Sequence, residues 1–295
     1  MTRIEKALGL KYPPLAIFHS RELPAGLKLS SPLCAMVLVA QAAKGGTAAL
    51  SKESCRCPGA ANGFGLEPFR LDNFPGGPEC FLRFLSIGNE DWEQGRAVRA
   101  KLEEGGAPKI LITEFSEGEG FRKTPALVQA WIDSLPEVKP EGDYVIMKPL
   151  GDILENEKPK VVSFLVNPDQ LSALVVLANF ARKGSDNVRI PFGAGCSCFG
   201  LYAFDEAGKD EPRAIIGLTD ISARFYLGKP LGRDILSFTV PMKMFEEMEA
   251  NVEESFLTRF AWKTMLGLGP GPKPADTRGR RPLDPKPADK KIKLI

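Results

Sequence analysis

Residues 190–200, Ile-Pro-Phe-Gly-Ala-Gly-Cys-Ser-Cys-Phe-Gly, constrain this chain more than any other stretch. An extended run reaches a proline and then enters a glycine-rich turn carrying two thiols one residue apart. Gly193, Gly195 and Gly200 permit backbone angles and close approaches that a Cβ resists, so Gly193 and Gly195 are expected to wrap a bound group and aim amides at it. A second such turn is Cys55-Arg56-Cys57-Pro58-Gly59-Ala60. Two Cys-x-Cys turns in a chain of 6 cysteines, behind an N-terminus with no secretion-type leader, favour a bound metal or cluster over a disulfide framework.

The opening Met1-Thr2-Arg3-Ile4-Glu5-Lys6 is followed by no apolar leader. The longest uncharged run, 29–43, is interrupted by Ser30, Ser31 and Pro32 and is too short to span a bilayer. The expectation is a cytoplasmic protein with reduced thiols and no membrane contact. Charge is uneven: residues 269–295 carry eight Lys/Arg, three Asp and six prolines, so the body is left negative although the whole chain is formally +2. That tail has too little apolar surface to order alone, and it has no aromatic residue to stack on bases, which argues against nucleic acid. A tail packed along a partner subunit leaves a homo-oligomer open.

Apolar periodicity and turn residues predict an α/β (or α+β) chain. A helix is expected over 2–9 and a strand over 13–18. A buried helix should follow over 32–43, capped by Ser31 with Pro32 at its first position, which puts Cys34 in the first turn, where amides and the helix dipole favour thiolate. A strand over 47–50 leads to Cys55 and Cys57. Helices are expected over 78–87, 90–104 and 125–134, with a short strand at 110–112. Strands at 144–147 and 161–166 precede a helix opened by Asn167-Pro168-Asp169-Gln170, a capping-box arrangement. A strand at 188–192 delivers Cys196, and strands at 213–218 and 236–240 lead to a long helix over 241–265. Residues 1–140 thus form an N-terminal α/β unit with a helical insertion, 141–268 a C-terminal α/β unit, and 269–295 the tail. Residues 38–46 resemble 176–184, and Cys57 and Cys196 follow them at nearly equal spacing, as in an internal duplication that brings two strand ends to one ligand cleft. Compositional likeness between βα units is the other explanation.

The strings Asn167-Pro168-Asp169-Gln170-Leu171-Ser172-Ala173-Leu174, Pro191-Phe192-Gly193-Ala194-Gly195-Cys196 and Ile216-Gly217-Leu218-Thr219-Asp220-Ile221-Ser222-Ala223-Arg224 resemble domain-of-unknown-function family 169, the ArCR-like family of archaea and bacteria. The Cys34 stretch and Cys57-Pro58-Gly59-Ala60 fit it as well, so the likeness covers about residues 5–265. It implies that Cys34, Cys57 and Cys196 are the typical cysteines of the pattern, with Cys55, Cys80 and Cys198 outside it. It implies no activity.

Converging thiolates suit iron–sulfur clusters and zinc. Zinc modules pair ligands as Cys-x2-4-Cys on a knuckle, whereas these thiols are scattered over a fold with a core of its own, so a [4Fe-4S] cluster is preferred and zinc is the alternative. Cys34, Cys57 and Cys196 are the expected principal ligands and Cys198 or Cys55 the fourth. Three ligands would leave an iron open to substrate or sulfide, and four would suit exchange with an electron-transfer partner. A zinc-binding or metal-free ligand-binding or regulatory module is the reading from another class. Cys80, between Glu79 and Phe81, is expected to pack. The single histidine, His19, excludes a His-rich metal site. Asp220 and Arg224 are expected to pair with each other or to hold an anion, and Glu246, Glu247, Glu249, Glu253 and Glu254 to form a solvated face.

Overall fold

The computed structural model describes residues 1–69, 71–72, 74–265 and 267. The tail read over 269–295 lies outside the described residues. The strands are β1 (Leu15–Ser20), β2 (Ala48–Ser51), β3 (Tyr144–Pro149), β4 (Val161–Val166), β5 (Val188–Arg189), β6 (Ala214–Gly217) and β7 (Leu236–Pro241). They form one mixed sheet in the order β2-β3-β1-β4-β7-β6-β5, antiparallel at every neighbouring pair except β5 and β6. The helices are α1 (Arg3–Leu8), α2 (Met36–Ala43), α3 (Pro58–Gly63), α4 (Gly77–Phe84), α5 (Glu93–Glu104), α6 (Lys109–Glu117), α7 (Pro125–Asp133), α8 (Pro168–Asn179), α9 (Gly195–Phe199), α10 (Leu201–Ala207), α11 (Ile221–Leu231), α12 (Met242–Asn251) and α13 (Phe260–Met265). The architecture is α/β, as expected.

Side chains alternate across the sheet with the two-residue period of a strand. Leu15, Ile17, Val145, Met147, Val161 and Leu165 face α2, α3 and α9–α11 in one core. Val162, Phe164, Val166, Phe238 and Val240 face α1, α8 and α12 in another. Coverage of both faces explains why all six residues of β4 are buried and apolar apart from Ser163, whose hydroxyl bonds that of Thr239 on β7 at 2.9 Å. The Asn167 capping box forms: the side-chain oxygen accepts from Gln170 N at 2.9 Å and Gln170 Oε1 accepts from Asn167 N at 3.1 Å. Gln170 Nε2 also donates to Leu8 O, tying α8 to α1.

Four local expectations are corrected. Residues 110–112 belong to α6, because Pro108 opens a helix there and Phe115 turns inward against Phe74 instead of a sheet edge. The helix expected over 241–265 breaks after Asn251, where buried Ser255 caps a short 3-10 turn before α13. The strand at 188–192 retains two paired residues, 190–194 are irregular, and the thiols that follow lie in α9 in place of an open turn. The glutamate face is not wholly solvated: Glu247 pairs with Arg182, with Nε to Oε1 at 2.9 Å, and Glu249 accepts from the first amides of α1.

The internal likeness takes a different form from the one expected. Strands β1 and β4 run antiparallel side by side, and each pairs with a strand ending in proline in the same register, Leu15↔Pro149 and Val161↔Pro241. Outside these lie β2 and β6, again in matching register, Ala48↔Met147 and Ile215↔Thr239. A local twofold axis through the Ala16↔Val162 pair therefore relates β1-β2-β3 to β4-β6-β7. It does not relate α2 to α8, which lie on opposite faces. The counterpart of α2 is α10, which packs on β6 and β7 as α2 packs on β2 and β3. Cys34, just before α2, corresponds to the cysteines before α10, and Cys57, capping the helix after β2, corresponds to Asp220, capping the helix after β6. Cys57 and Cys196 are not equivalent positions.

Candidate functional site

Three segments meet on the α2/α9 face of the sheet. The first carries Cys34. Ser31 was expected to cap the helix there, but its hydroxyl instead donates to Ser54 O at 2.8 Å, and α2 starts at Met36 with no side-chain cap. That bond ties the Cys34 segment to the second one, which leaves β2 through a turn closed by reciprocal Ser51 and Ser54 hydrogen bonds of 2.9 and 3.2 Å. This turn presents Cys55 and then Cys57, the N-cap residue of α3, in extended geometry. The third segment is α9, which holds Cys196.

Glycine brings α3 and α9 together. A Cβ on Gly63 would lie 2.6 Å from Cys196 Sγ and 2.9 Å from Ser197 N, and one on Gly200 would lie 2.4 Å from Gly63 O. In this contact the Cys196 thiol donates to Gly59 O at 3.3 Å, two residues past Cys57. Cys34, Cys55 and Cys57 are partly buried against the core that contains Cys196. The four thiols lie within electrostatic reach of one another. Burial, opposed by the Met36 amide and reinforced by Cys57, pushes Cys34 up to about 12. Burial and then Cys57 push Cys55 up to about 12. Burial also raises Cys57, although the amides of Ala60 and Gly59 work against it. Cys196 is raised well above the ordinary thiol value, by burial and then by Cys57, Cys34, Asp220 and Cys55. The dipole-lowered thiol expected at Cys34 is therefore overturned: desolvation outweighs one helix-end amide.

The other expected residues sit apart from this group or beneath it. Cys198 points to the sheet, where a Cβ on Gly217 would meet its Cβ at 2.4 Å; burial and then Asp220 push its thiol up to about 12. Gly193 lies against the Tyr202 ring and Gly195 against Ala223 and Met36, so both serve the packing of α9. Cys80 is fully buried in α4. His19 is held to Phe64 O at 3.0 Å, with burial lowering its pKa. Asp220 and Arg224 do not pair. Asp220 accepts from Ser222 N, Ser222 Oγ and Ala223 N, and from Gly195 N at 3.0 Å, fastening α11 to α9. Arg224 spends its guanidinium on the carbonyls of Leu218, Ile235 and Arg233.

A sequence profile described as DUF169, uncharacterised ArCR, matches residues 3–251. The chain belongs to the DUF169 family. Comparison with curated proteins and with solved structures gives no match. The matched DUF169 stretch contains all 6 cysteines and every element of the sheet.

Three side chains of this DUF169 site were missed in the sequence. Glu119, from the loop after α6, lies near Cys57 and Asp220, and burial, then Asp220, then Glu114 push its carboxyl up to about 8. Tyr226 on α11 faces the thiols, and burial and then Cys34 raise its pKa. Leu218, buried just ahead of Asp220, has φ 60, a left-handed conformation that β-carbon sterics disfavour. Glu119 and Tyr226 lie in no motif, and nothing in the string 216–224 marks the backbone conformation of Leu218. The arrangement offers soft donors beside a carboxyl group that holds its proton near neutrality. Among the described residues, no three Cys, His, Asp or Glu side chains already stand in chelating positions. The donor set suits a thiolate-bound group in kind, with its thiols protonated and packed. No helix of the described residues is long and apolar enough to cross a membrane.

Proposed function

We propose that Cys34, Cys55, Cys57 and Cys196 hold an iron–sulfur cluster of the [4Fe-4S] type, and that the protein works in redox or sulfur-transfer chemistry with a small-molecule substrate or an electron-transfer partner. The observation that carries this reading is the convergence of four thiols from three separate segments at the α3/α9 contact. Neutral thiols that oppose one another's ionisation become good ligands when a positively charged group compensates the thiolates, so proton release and binding are coupled. Soft sulfur donors select iron–sulfur clusters or zinc. A sheet with cores on both faces does not depend on a structural zinc for its stability, which favours the cluster. A bound cluster would supply electron transfer or a Lewis-acidic iron. Among this chain's own groups, Glu119 would hold a proton beside it.

The test is anaerobic purification followed by iron, sulfide and zinc analysis. The expected result is a coloured protein with ~4 iron and ~4 sulfide per chain. A colourless protein with about one zinc after anaerobic reconstitution would replace the cluster by the zinc reading, and absence of both metals would remove the metal reading altogether.

A further inference from the structure

The helical insertion α4–α7 reaches the loop ahead of Cys196 at Phe192, where its one charged contact is Arg122. Its guanidinium carbon sits 4.1 Å from the centroid of the Phe192 ring. Trp131 of α7 meets the same ring edge-on at 5.4 Å, and Phe121 meets it at 6.4 Å. Phe192 itself is 42% exposed, so this aromatic seat opens to solvent. Two donors here are buried without a hydrogen-bond partner, Arg122 Nε and Trp131 Nε1; the indole faces the Tyr202 hydroxyl without reaching hydrogen-bond geometry. Arg122 has no ion-pair partner among the described residues, whereas neighbouring Arg189 is paired with Glu206 at 2.8 Å.

Stacking on a ring uses the face of a guanidinium and leaves its N–H edge free, the edge that matches a carboxylate or phosphate in two parallel hydrogen bonds. Of the guanidinium's donors only Nε is buried, so the two Nη groups, which have no hydrogen bond among the described residues, are the edge that a ligand reaches. We propose that Arg122, seated on Phe192 and flanked by Trp131, is an oxyanion subsite that takes the carboxylate or phosphate of a small substrate. The seat is linked to the thiol group through the chain at two points. Phe192 lies four residues before Cys196, and the segment that carries Arg122 also carries Glu119, which lies near Cys57. The segment is anchored to α4 by Glu119 N to Phe84 O at 2.7 Å and Arg122 N to Leu85 O at 3.2 Å. The insertion therefore reads the charged end of the ligand, while the thiols at the α3/α9 contact face the remainder. Only that last placement rests on the function proposed above; the anion subsite stands whatever the thiols hold.

The experiment titrates the full-length protein with inorganic phosphate and, separately, with succinate at constant ionic strength, following tryptophan fluorescence and thermal shift. A saturable response to phosphate identifies a phosphate-bearing ligand, and one to succinate a carboxylate. Arg122→Gln should weaken binding ~10- to 100-fold and Arg122→Lys less, because lysine keeps the charge and loses the fork. Lys101→Gln, a surface change on α5, should bind as wild type. If neither anion saturates, or if Arg122→Gln or Arg122→Lys binds as tightly as wild type, the subsite is refuted. Metal content is measured on the same samples, so a failed subsite and a failed cluster register separately.

Discussion

Replacing Gly63 by alanine tests the contact on which the thiol site depends. The added carbon would sit 2.6 Å from Cys196 Sγ, 2.9 Å from Ser197 N and 3.0 Å from Cys196 C, where ordinary contact is 3.4–4 Å. Two of those three atoms are backbone, so no rotamer change relieves the clash and α9 must move away from α3 by most of an ångström. Overpacking of a close contact costs ~1–3 kcal/mol and sometimes more, against ~0.5–1 kcal/mol regained from the lower chain entropy of alanine. With backbone as the obstacle the upper end of that cost applies, so the net loss is ~2 kcal/mol, a Tm lower by roughly 4–8 °C for a domain of this size. Gly59→Ala in the same helix is the control, since its nearest neighbour is Cys57 Sγ at an ordinary 3.7 Å. It should be neutral, or stabilising by ~0.4–1 kcal/mol. Scanning calorimetry of the two variants decides. A Gly63→Ala protein as stable as wild type, or a Gly59→Ala protein that is the weaker of the two, would show that the α3/α9 approach is not tight.

Cys198→Ser separates packing from ligation: a hydroxyl in that buried sheet-facing position should cost ~1–3 kcal/mol in urea unfolding, yet leave metal content intact. Cys34→Ser, Cys55→Ser, Cys57→Ser and Cys196→Ser should each remove most visible absorbance, and full colour in Cys196→Ser would count against the site. Glu119 gives a pH test. Its folded-state pKa of about 8 lies above the ordinary 4.5, so the folded protein holds this proton more tightly than the unfolded chain does. The resulting stability is complete below pH 4.5 and is lost as pH rises through 8. Thermal melts across that window should therefore fall more steeply for wild type than for Glu119→Gln, and parallel curves would exclude a buried protonated Glu119.

What the chain discloses before folding is what local chemistry decides. The Asn167 capping box, the strand at 161–166 and the helix end at Ala43 are all set by neighbouring residues, and they form. Failures occur where a distant partner overrides a local preference. Ser31 is a good cap that finds the Ser54 carbonyl instead. The Ile-Leu-Ile run at 110–112 has strand propensity, but its surroundings are helical. The cysteines were found by residue type, while their grouping was not: Cys55 joins Cys34, Cys57 and Cys196, whereas Cys198, on the same short helix as Cys196, faces the sheet. Glu119, Tyr226 and Arg122 carried no local signal, since each becomes notable only through what the fold places beside it.

The local twofold axis also has a mechanical side. Within each half the inner strands are laced by six residue pairs, β1 with β3 and β4 with β7, but β1 and β4 share three. When the two halves separate as units, under load or in native-state hydrogen exchange, the sheet should part along that short seam. Cys34, Cys55 and Cys57 belong to one side of it and Cys196 to the other. Anything gripping thiols from both sides acts as a clasp, so filling the site should slow exchange at Leu15, Ile17 and Val161 on the seam well before it alters the outer strands.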